Sequence, residues 1–482
     1  MQRKEKVALF ILFLILSFLL GAVFFTVPYS ADSYTIRARG YEFYNEYAFR
    51  NMRPLQVYIS ELFFSILGKD IAYEILYRIY LIISLILLAG IMYMLMRYVL
   101  QILEEKNRKV GKLQKISIAL CIVMMVFNPY FSTNLLYMEN LTMILANFLS
   151  VVASILYAKN IRFKNSICLV LLTISEFCYQ TMIVNFVIFS VIFYILKKER
   201  IPNFKFMRNI TILFLIPMLL LFGYYLYLEH TGMEINTRFS KPYMLVSVVT
   251  FICLQMLIYF ALYLIYYLLD SIIMKEYFKE KQSVSKSILF VIFVAIFYNF
   301  SFTLVNFGFA SNRMMTGVGM LAGIILLIFA VCGTKWMEHK KRWISLLIIT
   351  GVIEYAIFLG YYAIFLKYNQ YIDENCSVVG EYIIDYNKTH DKKIENIVVY
   401  ASDTVKRERW YSYVPYLHFQ IYNVEDNLFD QLTIYLNGKE KLHEIEEEDE
   451  TIYQTYFKGK EWTEFSADQF VVIGNTLHFC KY

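Results

Sequence analysis

The residues best suited to chemistry lie just past the first apolar segment, in a stretch that opens with Ala31-Asp32-Ser33-Tyr34 and closes on Asn51-Met52-Arg53-Pro54-Leu55. Between those ends stand Arg37, Arg39, Glu42, Glu46 and Arg50, interleaved with tyrosines. An acid such as Asp32 at a membrane boundary can take a proton from a hydroxyl, hold a divalent cation, or simply solvate a turn. Arg37 and Arg53 carry guanidinium forks that match phosphate oxygens and equally serve as anchors snorkelling to a membrane edge. Further on, Glu139, Glu176, Tyr179, Gln180 and Arg313 are polar groups set inside or beside apolar runs. A carboxylate inside such a run is expensive and faces a cavity or a partner. At helical spacing Glu176 and Gln180 share a face, which suits a pocket lining and a bond to a neighbouring helix equally well. Glu354 reads as structural, and Asn147, Asn185, Asn299 and Asn306 read as polar glue between helices.

The elements that must position these groups follow from composition. The chain has 482 residues, is 59% hydrophobic and has a mean hydropathy of +0.49. These values place most of it in lipid. Spanning takes about 20 apolar residues, and segments at roughly 7–27, 71–98, 115–134, 135–158, 209–228, 243–269, 287–307, 315–333 and 344–366 meet that length. The run at 165–196 is too long for one span and is interrupted by the polar patch from Glu176 to Gln180, so it is expected to form two short helices. The reading is a mainly α polytopic bundle of about eleven crossings. Arg3, Lys4 and Lys6 precede the first segment without a cleavage site after it, so it is expected to be retained as a helix.

The net charge of +6 comes from short basic loops, among them Lys106 to Lys115, Lys159 to Lys164 and Lys197 to Arg208. Topology explains such loops, and no nucleic-acid partner is needed. The same bias predicts a cytoplasmic N-terminus and, after an odd number of crossings, an external C-terminal region. Leu55 to Leu67 gives a helical stripe too short to span, suited to the outer interface. The expected division is therefore a membrane domain over 1–366, with an external loop at 28–70, and a small extracytoplasmic α/β domain over 367–482. In that last part, runs at 397–400, 419–422, 432–435 and 470–473 are expected as strands, and Gly474-Asn475 as a hairpin turn. The acidic run from Glu444 to Glu450 reads as a solvated face. Of seven cysteines, five sit in or beside apolar helices as small packing residues. Cys376 and Cys480 bracket the polar region and are disulfide candidates if it is external.

The order Asp32, Gly40-Tyr41, Arg53-Pro54-Leu55 resembles the first external loop of the GtrII-like glucosyltransferases, membrane enzymes of the GT-C type. Asn128-Pro129 followed by Leu136-Tyr137-Met138-Glu139-Asn140-Leu141 is similar to that family's turn between its third and fourth helices, and Phe177-Cys178-Tyr179-Gln180 is similar to its Tyr-Gln motif. The resemblance covers about residues 7 to 335. Ser33 follows Asp32 where the family often has a second acid, and the arginine comes at Arg37, so Glu139 is the expected second carboxylate. The resemblance implies a polyprenyl-phosphate sugar donor, glucose being the expected sugar, and a surface glycan as acceptor. It also implies a bacterial plasma-membrane setting, a donor-making transferase and a flippase as functional neighbours. Asp32 would be the general base, with Arg53 and Arg313 on the donor phosphate and Arg37, Glu176, Tyr179 and Gln180 about the substrate. The resemblance fixes no cofactor and no metal ligands, and a divalent cation would fit the chemistry. The other classes open to such a sequence are a transporter or flippase of lipid-linked saccharides and a polysaccharide polymerase. A transporter is expected to show half-to-half repetition, and none is visible here.

Overall fold

The computed structural model describes residues 3–29, 31–108, 110–159, 161–232, 264, 278–305, 316–332, 340–402, 424–436, 442–445, 449–462 and 464–481. Two compact units share them: Met1–Val27 with Asn45–Leu359, and Pro28–Tyr44 with Gly360–Tyr482.

The first unit is a helix bundle. Helix α1 (Arg3–Leu20) ends at Gly21, where the chain turns into a short 3-10 segment, Ala22–Thr26. The first apolar segment is thus not one continuous helix over 7–27. Helix α2 (Ala31–Arg50) contributes its last residues to this unit, and α3 (Pro54–Leu67) follows with proline at its first position, where a missing N–H costs nothing. The stretch expected as an external loop at 28–70 is therefore largely helical. Its break is at Gly40, which takes φ 86 and ψ 172, a conformation closed to residues with a Cβ.

Helix α4 (Tyr73–Glu105) is a 33-residue, nearly all-apolar rod. Ser17 of α1 donates to the Leu85 carbonyl at 2.7 Å, and Phe10 meets Tyr93 edge-on at 5.7 Å, so α1 lies along α4. Helix α5 (Lys112–Val126) stops before Asn128-Pro129; Asn128 caps the one-turn α6 (Pro129–Ser132), accepting from Phe131 N at 2.9 Å. The path bends by 41° there. A 3-10 turn, Thr133–Leu136, leads to α7 (Asn140–Lys159), whose 20 residues measure roughly 30 Å, the thickness of a bilayer's hydrocarbon core. Helix α8 (Lys164–Cys178) ends where Tyr179 becomes extended, and after the 3-10 turn Gln180–Met182 the chain re-enters helix as α9 (Ile183–Lys198). The long run at 165–196 is thus two helices broken at its polar patch. The remaining helices are α10 (Phe204–His230), α11 (Phe278–Val305), α12 (Thr316–Gly319), α13 (Leu321–Cys332) and α14 (Lys340–Thr389). Gly323 lets α13 press on α5, since a Cβ there would stand 2.6 Å from Met125 Cγ.

Among the described residues five helices are long and apolar enough to cross a membrane, or six when the bent pair at α5 and α6 counts as one. Apart from Leu264, the expected span at 243–269 lies outside the described residues. In the α10 span only 28% of the residues are buried, and in the Trp343–Gly360 window 17%; Leu219 and Val352 are among the apolar side chains left exposed there. Long apolar helices with apolar outer faces are the construction of a membrane protein.

Polar atoms in the bundle interior pair across helices. Asn185 donates to Asn147 Oδ1 at 2.8 Å, joining α9 to α7. Ser150 and Ser175 are 3.0 Å apart and join α7 to α8, while Ser84 of α4 bonds Asn140 Oδ1 at 2.9 Å. Asn299 instead donates to its own helix at Ala295 O, 2.6 Å away, and Asn306 lies outside the described residues.

The second unit holds a four-stranded mixed sheet, β1 (Asn396–Ala401), β2 (His443–Glu444), β3 (Phe470–Ile473) and β4 (Thr476–Lys481), in the order β2-β1-β4-β3. β1 runs parallel to β2 and β4, and β3 is antiparallel to β4 across the Gly474-Asn475 turn, with Gly474 at φ 67. One face is covered by the C-terminal part of α14 and by α15 (Val424–Leu436), with Cys376, Val379, Ile383, Leu428 and Leu432 packed on Ile397 and Phe479. Tyr453 and Phe457 cover the other face, over Val398, Tyr400 and Cys480.

Two expectations fail here. Residues 432–435 are helical, within α15, where Leu428, Leu432 and Leu436 are buried; a four-residue spacing falls on one face of a strand as well as of a helix, so the local pattern did not decide between them. Cys376 and Cys480 are buried and form no disulfide with each other. Strand alternation turns Cys480 to the face opposite Leu477 and Phe479, against which Cys376 packs, so a sheet lies between the two sulfurs. The run at 419–422 lies outside the described residues, as does part of the acidic run, whose Glu444 sits in β2.

His478 on β4 shares a 3.0 Å bond with the Tyr400 hydroxyl. Burial holds its imidazole below the ordinary 6.5, with Asp449 pulling the other way. The unfolded chain then binds a proton more readily than the folded one, so this contribution is intact at neutral pH and is lost as pH falls through 6.5. Hydrogen-exchange protection of the β4 amides should fall between about pH 7.5 and about pH 5.5, and His478→Gln should remove that pH dependence. In the bundle, Asn185→Ala should lower the melting temperature of the detergent-solubilised protein, at a cost of about 0.6–1.7 kcal/mol for the lost interhelical bond.

Candidate functional site

In the first unit Arg53, Glu139, Tyr179 and Gln180 come together, although 127 positions separate Arg53 from Gln180. Each is placed by a break in helix. After α2 ends at Arg50, Met52 takes a left-handed φ of 59 and the Arg53 amide returns to Ala48 O at 3.0 Å, which presents the Arg53 side chain just ahead of α3. Glu139 immediately precedes α7. Its carbonyl accepts from Thr142 N at 3.0 Å and Met143 N at 3.1 Å, the position of a helix N-cap, so its carboxylate sits in the favourable field of a helix N-terminus. Tyr179 and Gln180 are the extended residue and first 3-10 residue between α8 and α9.

The guanidinium of Arg53 is oriented from three sides. Its Nε donates to Gln180 Oε1 at 3.3 Å, its Cζ lies 4.5 Å from the centre of the Tyr179 ring, and an Nη stands 3.6 Å from Glu139 Oε1. Gln180 in turn donates to the carbonyls of Asn51 at 3.1 Å and Met52 at 3.0 Å, so one amide secures the left-handed turn and the arginine that follows it. The Arg53 side chain is 14% exposed and that of Glu139 is 2% exposed. At 3.6 Å the two charges attract without a hydrogen bond. The fork is therefore not consumed in the bidentate pairing that arginine makes with a structural carboxylate. Such a cluster offers a fixed cation for an oxyanion beside a carboxylate able to accept a proton or to steer a hydroxyl.

The other expected site residues fall elsewhere. Glu176 is buried on α8 with its Oε2 lacking any hydrogen-bond partner among the described residues. It does not share a helical face with Gln180, because α8 stops at Cys178 and Tyr179 is extended. Arg37 and Asp32 belong to the second unit. Arg37 lies over the Tyr29 ring at 4.7 Å, and Tyr29 is held by Asn369 through bonds of 3.1 and 2.7 Å. Asp32 is in the first turn of α2, and its side chain, like the whole of Arg313, lies outside the described residues. Among the described residues no three His, Cys, Asp or Glu side chains gather to hold a metal ion.

Sequence reasoning missed the pairing of Thr35 and Arg39 with Asp430, at 2.7 and 2.9 Å, within the second unit. Asp430 is only 2% exposed. The local sequence carried no signal for it, because the partners of Asp430 lie 395 and 391 positions away in the chain.

Comparison with protein-family models, curated proteins and solved structures finds no match.

Arg53→Met should destabilise the protein by about 3–5 kcal/mol, since it removes the cation beside a buried carboxylate. Combining it with Glu139→Leu should restore much of that loss. Additive effects of the two substitutions on melting temperature would show that the pair is uncoupled. Gln180→Leu leaves a donor and two carbonyls unsatisfied and should cost about 1–3 kcal/mol.

Proposed function

We propose that the protein is an integral membrane glycosyltransferase that moves a sugar, glucosyl first among the candidates, from a polyprenyl-phosphate donor to a surface polysaccharide or glycopolymer. The observation that carries this reading is the convergence of three separated motif stretches, Arg53-Pro54, Glu139 and Tyr179-Gln180, on one guanidinium. These are three of the stretches in which the sequence resembles the GtrII-like family, and their meeting supports reading them as parts of one site. In this reading the bundle has about eleven crossings, the N-terminus is cytoplasmic, and transfer occurs on the outer face of a bacterial plasma membrane.

The reaction is an inverting displacement. The acceptor hydroxyl oxygen forms a bond to the anomeric carbon as the bond from that carbon to the phosphate oxygen breaks, and polyprenyl phosphate departs with the electron pair. Arg53 stabilises the charge growing on the phosphate, an interaction worth most where water is excluded. The hydroxyl proton passes to a carboxylate. Asp32 holds that role on sequence grounds, with Glu139 as the second carboxylate, beside Arg53 at the N-terminus of α7. Arg313 is a further phosphate contact in the proposal, also on sequence grounds.

Membranes carrying Asp32→Asn should transfer labelled sugar from polyprenyl phosphate about 10²–10⁴-fold more slowly than wild type. Wild-type rates in a well-folded variant would remove Asp32 as the base. Deleting the gene should delete one side-branch sugar from the surface glycan. Unchanged branching with accumulation of an untransported lipid-linked saccharide would point to a flippase instead.

A further inference from the structure

At the other end of α7 and α8 from the Arg53 cluster, two turns of the first unit meet. The turn at 159–164 joins α7 to α8, and the turn at 199–203 joins α9 to α10. They are held side by side by aromatic contacts, Phe206 packing 5.8 Å from Tyr157 and 4.5 Å from Tyr194. Lys159, Arg162 and Lys164 rise from the first turn. Lys198, Arg200, Lys205 and Arg208 surround the second, and all but Lys164 of these seven are exposed. The one acid in either turn, Glu199, is already engaged by Lys106 at 2.6 Å and Arg108 at 2.7 Å.

Exposed cations alone would make a solvated face. What sets this one apart is its apolar content. Phe204 is 82% exposed, Phe163 is 66% exposed and Ile201 is 45% exposed, each next in the chain to one of these cations. Phe163 takes a left-handed φ of 58, which costs a bulky residue energy, and the Arg162 guanidinium lies over its ring at 4.9 Å. Two basic side chains lie over aromatic faces near the rim, Lys164 over Tyr157 at 4.6 Å and Lys159 over Tyr98 at 5.8 Å. Phenyl rings ringed by ammonium and guanidinium groups complement a surface that is apolar below and anionic above. The plane of an anionic phospholipid leaflet has that character. The spacing agrees, since the 20 residues of α7 put Glu139 and Lys159 roughly 30 Å apart, one on each side of a hydrocarbon core.

We propose that Lys159, Arg162 and Lys164 of one turn and the turn at 199–203, with Lys205 and Arg208, form a binding site for anionic phospholipid headgroups, into which Phe163 and Phe204 insert as apolar anchors. The site selects phosphate-bearing lipids of net negative charge over zwitterionic ones, and it lies in the leaflet opposite the Arg53 cluster. It does not depend on sugar transfer.

The test uses the full-length protein with Phe204→Trp, reconstituted in phosphatidylcholine vesicles containing phosphatidylglycerol, with bromine on the acyl chains of one lipid or the other. The fluorescence of the unsubstituted protein is subtracted. Brominated phosphatidylglycerol should quench the new tryptophan several-fold more strongly than brominated phosphatidylcholine at equal mole fraction. Adding Arg162→Gln, Lys205→Gln and Arg208→Gln should abolish that preference while leaving the melting temperature in neutral detergent unchanged, which separates loss of the site from loss of the fold. Equal quenching by the two lipids overturns the proposal, as does a preference that survives the triple substitution. Displacement of the lipid signal by micromolar inorganic polyphosphate would assign the site to a soluble polyanion and overturn it as well.

Discussion

Polar atoms in the middle of a bilayer must find partners inside the protein, and this bundle is organised by that requirement. The interior amides and hydroxyls of α7 are matched to α9 through Asn147 and Asn185, to α8 through Ser150 and Ser175, and to α4 through Asn140 and Ser84. These bonds fix which face of α7 meets which neighbour, a choice that hydrophobic burial cannot make where lipid is as apolar as leucine. Where a polar group has no such partner, as with Glu176 Oε2 and Glu354 Oε2, it stands out against a background in which most are matched.

The same requirement pushes charge and irregular backbone to the ends of helices. Arg53, Glu139 and Gln180 each lie where a helix stops or starts, because only there are carbonyls and amides free to bind side chains. Gln180 uses that freedom fully, taking two carbonyls from the turn before α3 and giving its oxygen to Arg53. The result is an arginine held by an aromatic face and an amide, with a carboxylate near enough to attract it and too far to occupy its fork. Rigid support of this kind lets one cation serve a transient anion without reorganising.

The second unit follows soluble rules. A mixed sheet is covered on both faces, with α14 and α15 on one side and the Tyr453 to Phe457 segment on the other. Buried polar pairs in it include Asp430 with Thr35 and Arg39, and Tyr400 with His478.

Much of this was legible in the sequence where one physical signal dominates. The membrane class followed from hydropathy, the break at 176–180 from polar residues in an over-long apolar run, and β1, β3 and β4 from β-branched runs around Gly474-Asn475. The Arg53-Pro54, Glu139 and Tyr179-Gln180 stretches could be singled out by residue type and order. Where two signals competed, the sequence was ambiguous. Residues 432–435 have strand-like composition and leucines spaced in a way that suits either element, and the whole segment Val424–Leu436 is a helix. The disulfide expectation for Cys376 and Cys480 failed because linear position says nothing of which side of a sheet a sulfur faces. What only the tertiary structure decided is that Arg53, Glu139, Tyr179 and Gln180 share one place, while Glu176 is turned away from Gln180 by a single extended residue. Local periodicity and composition are properties of neighbouring residues and can be read along the chain. Convergence across more than a hundred positions depends on how whole helices pack, and that is settled only by the sum of all their contacts.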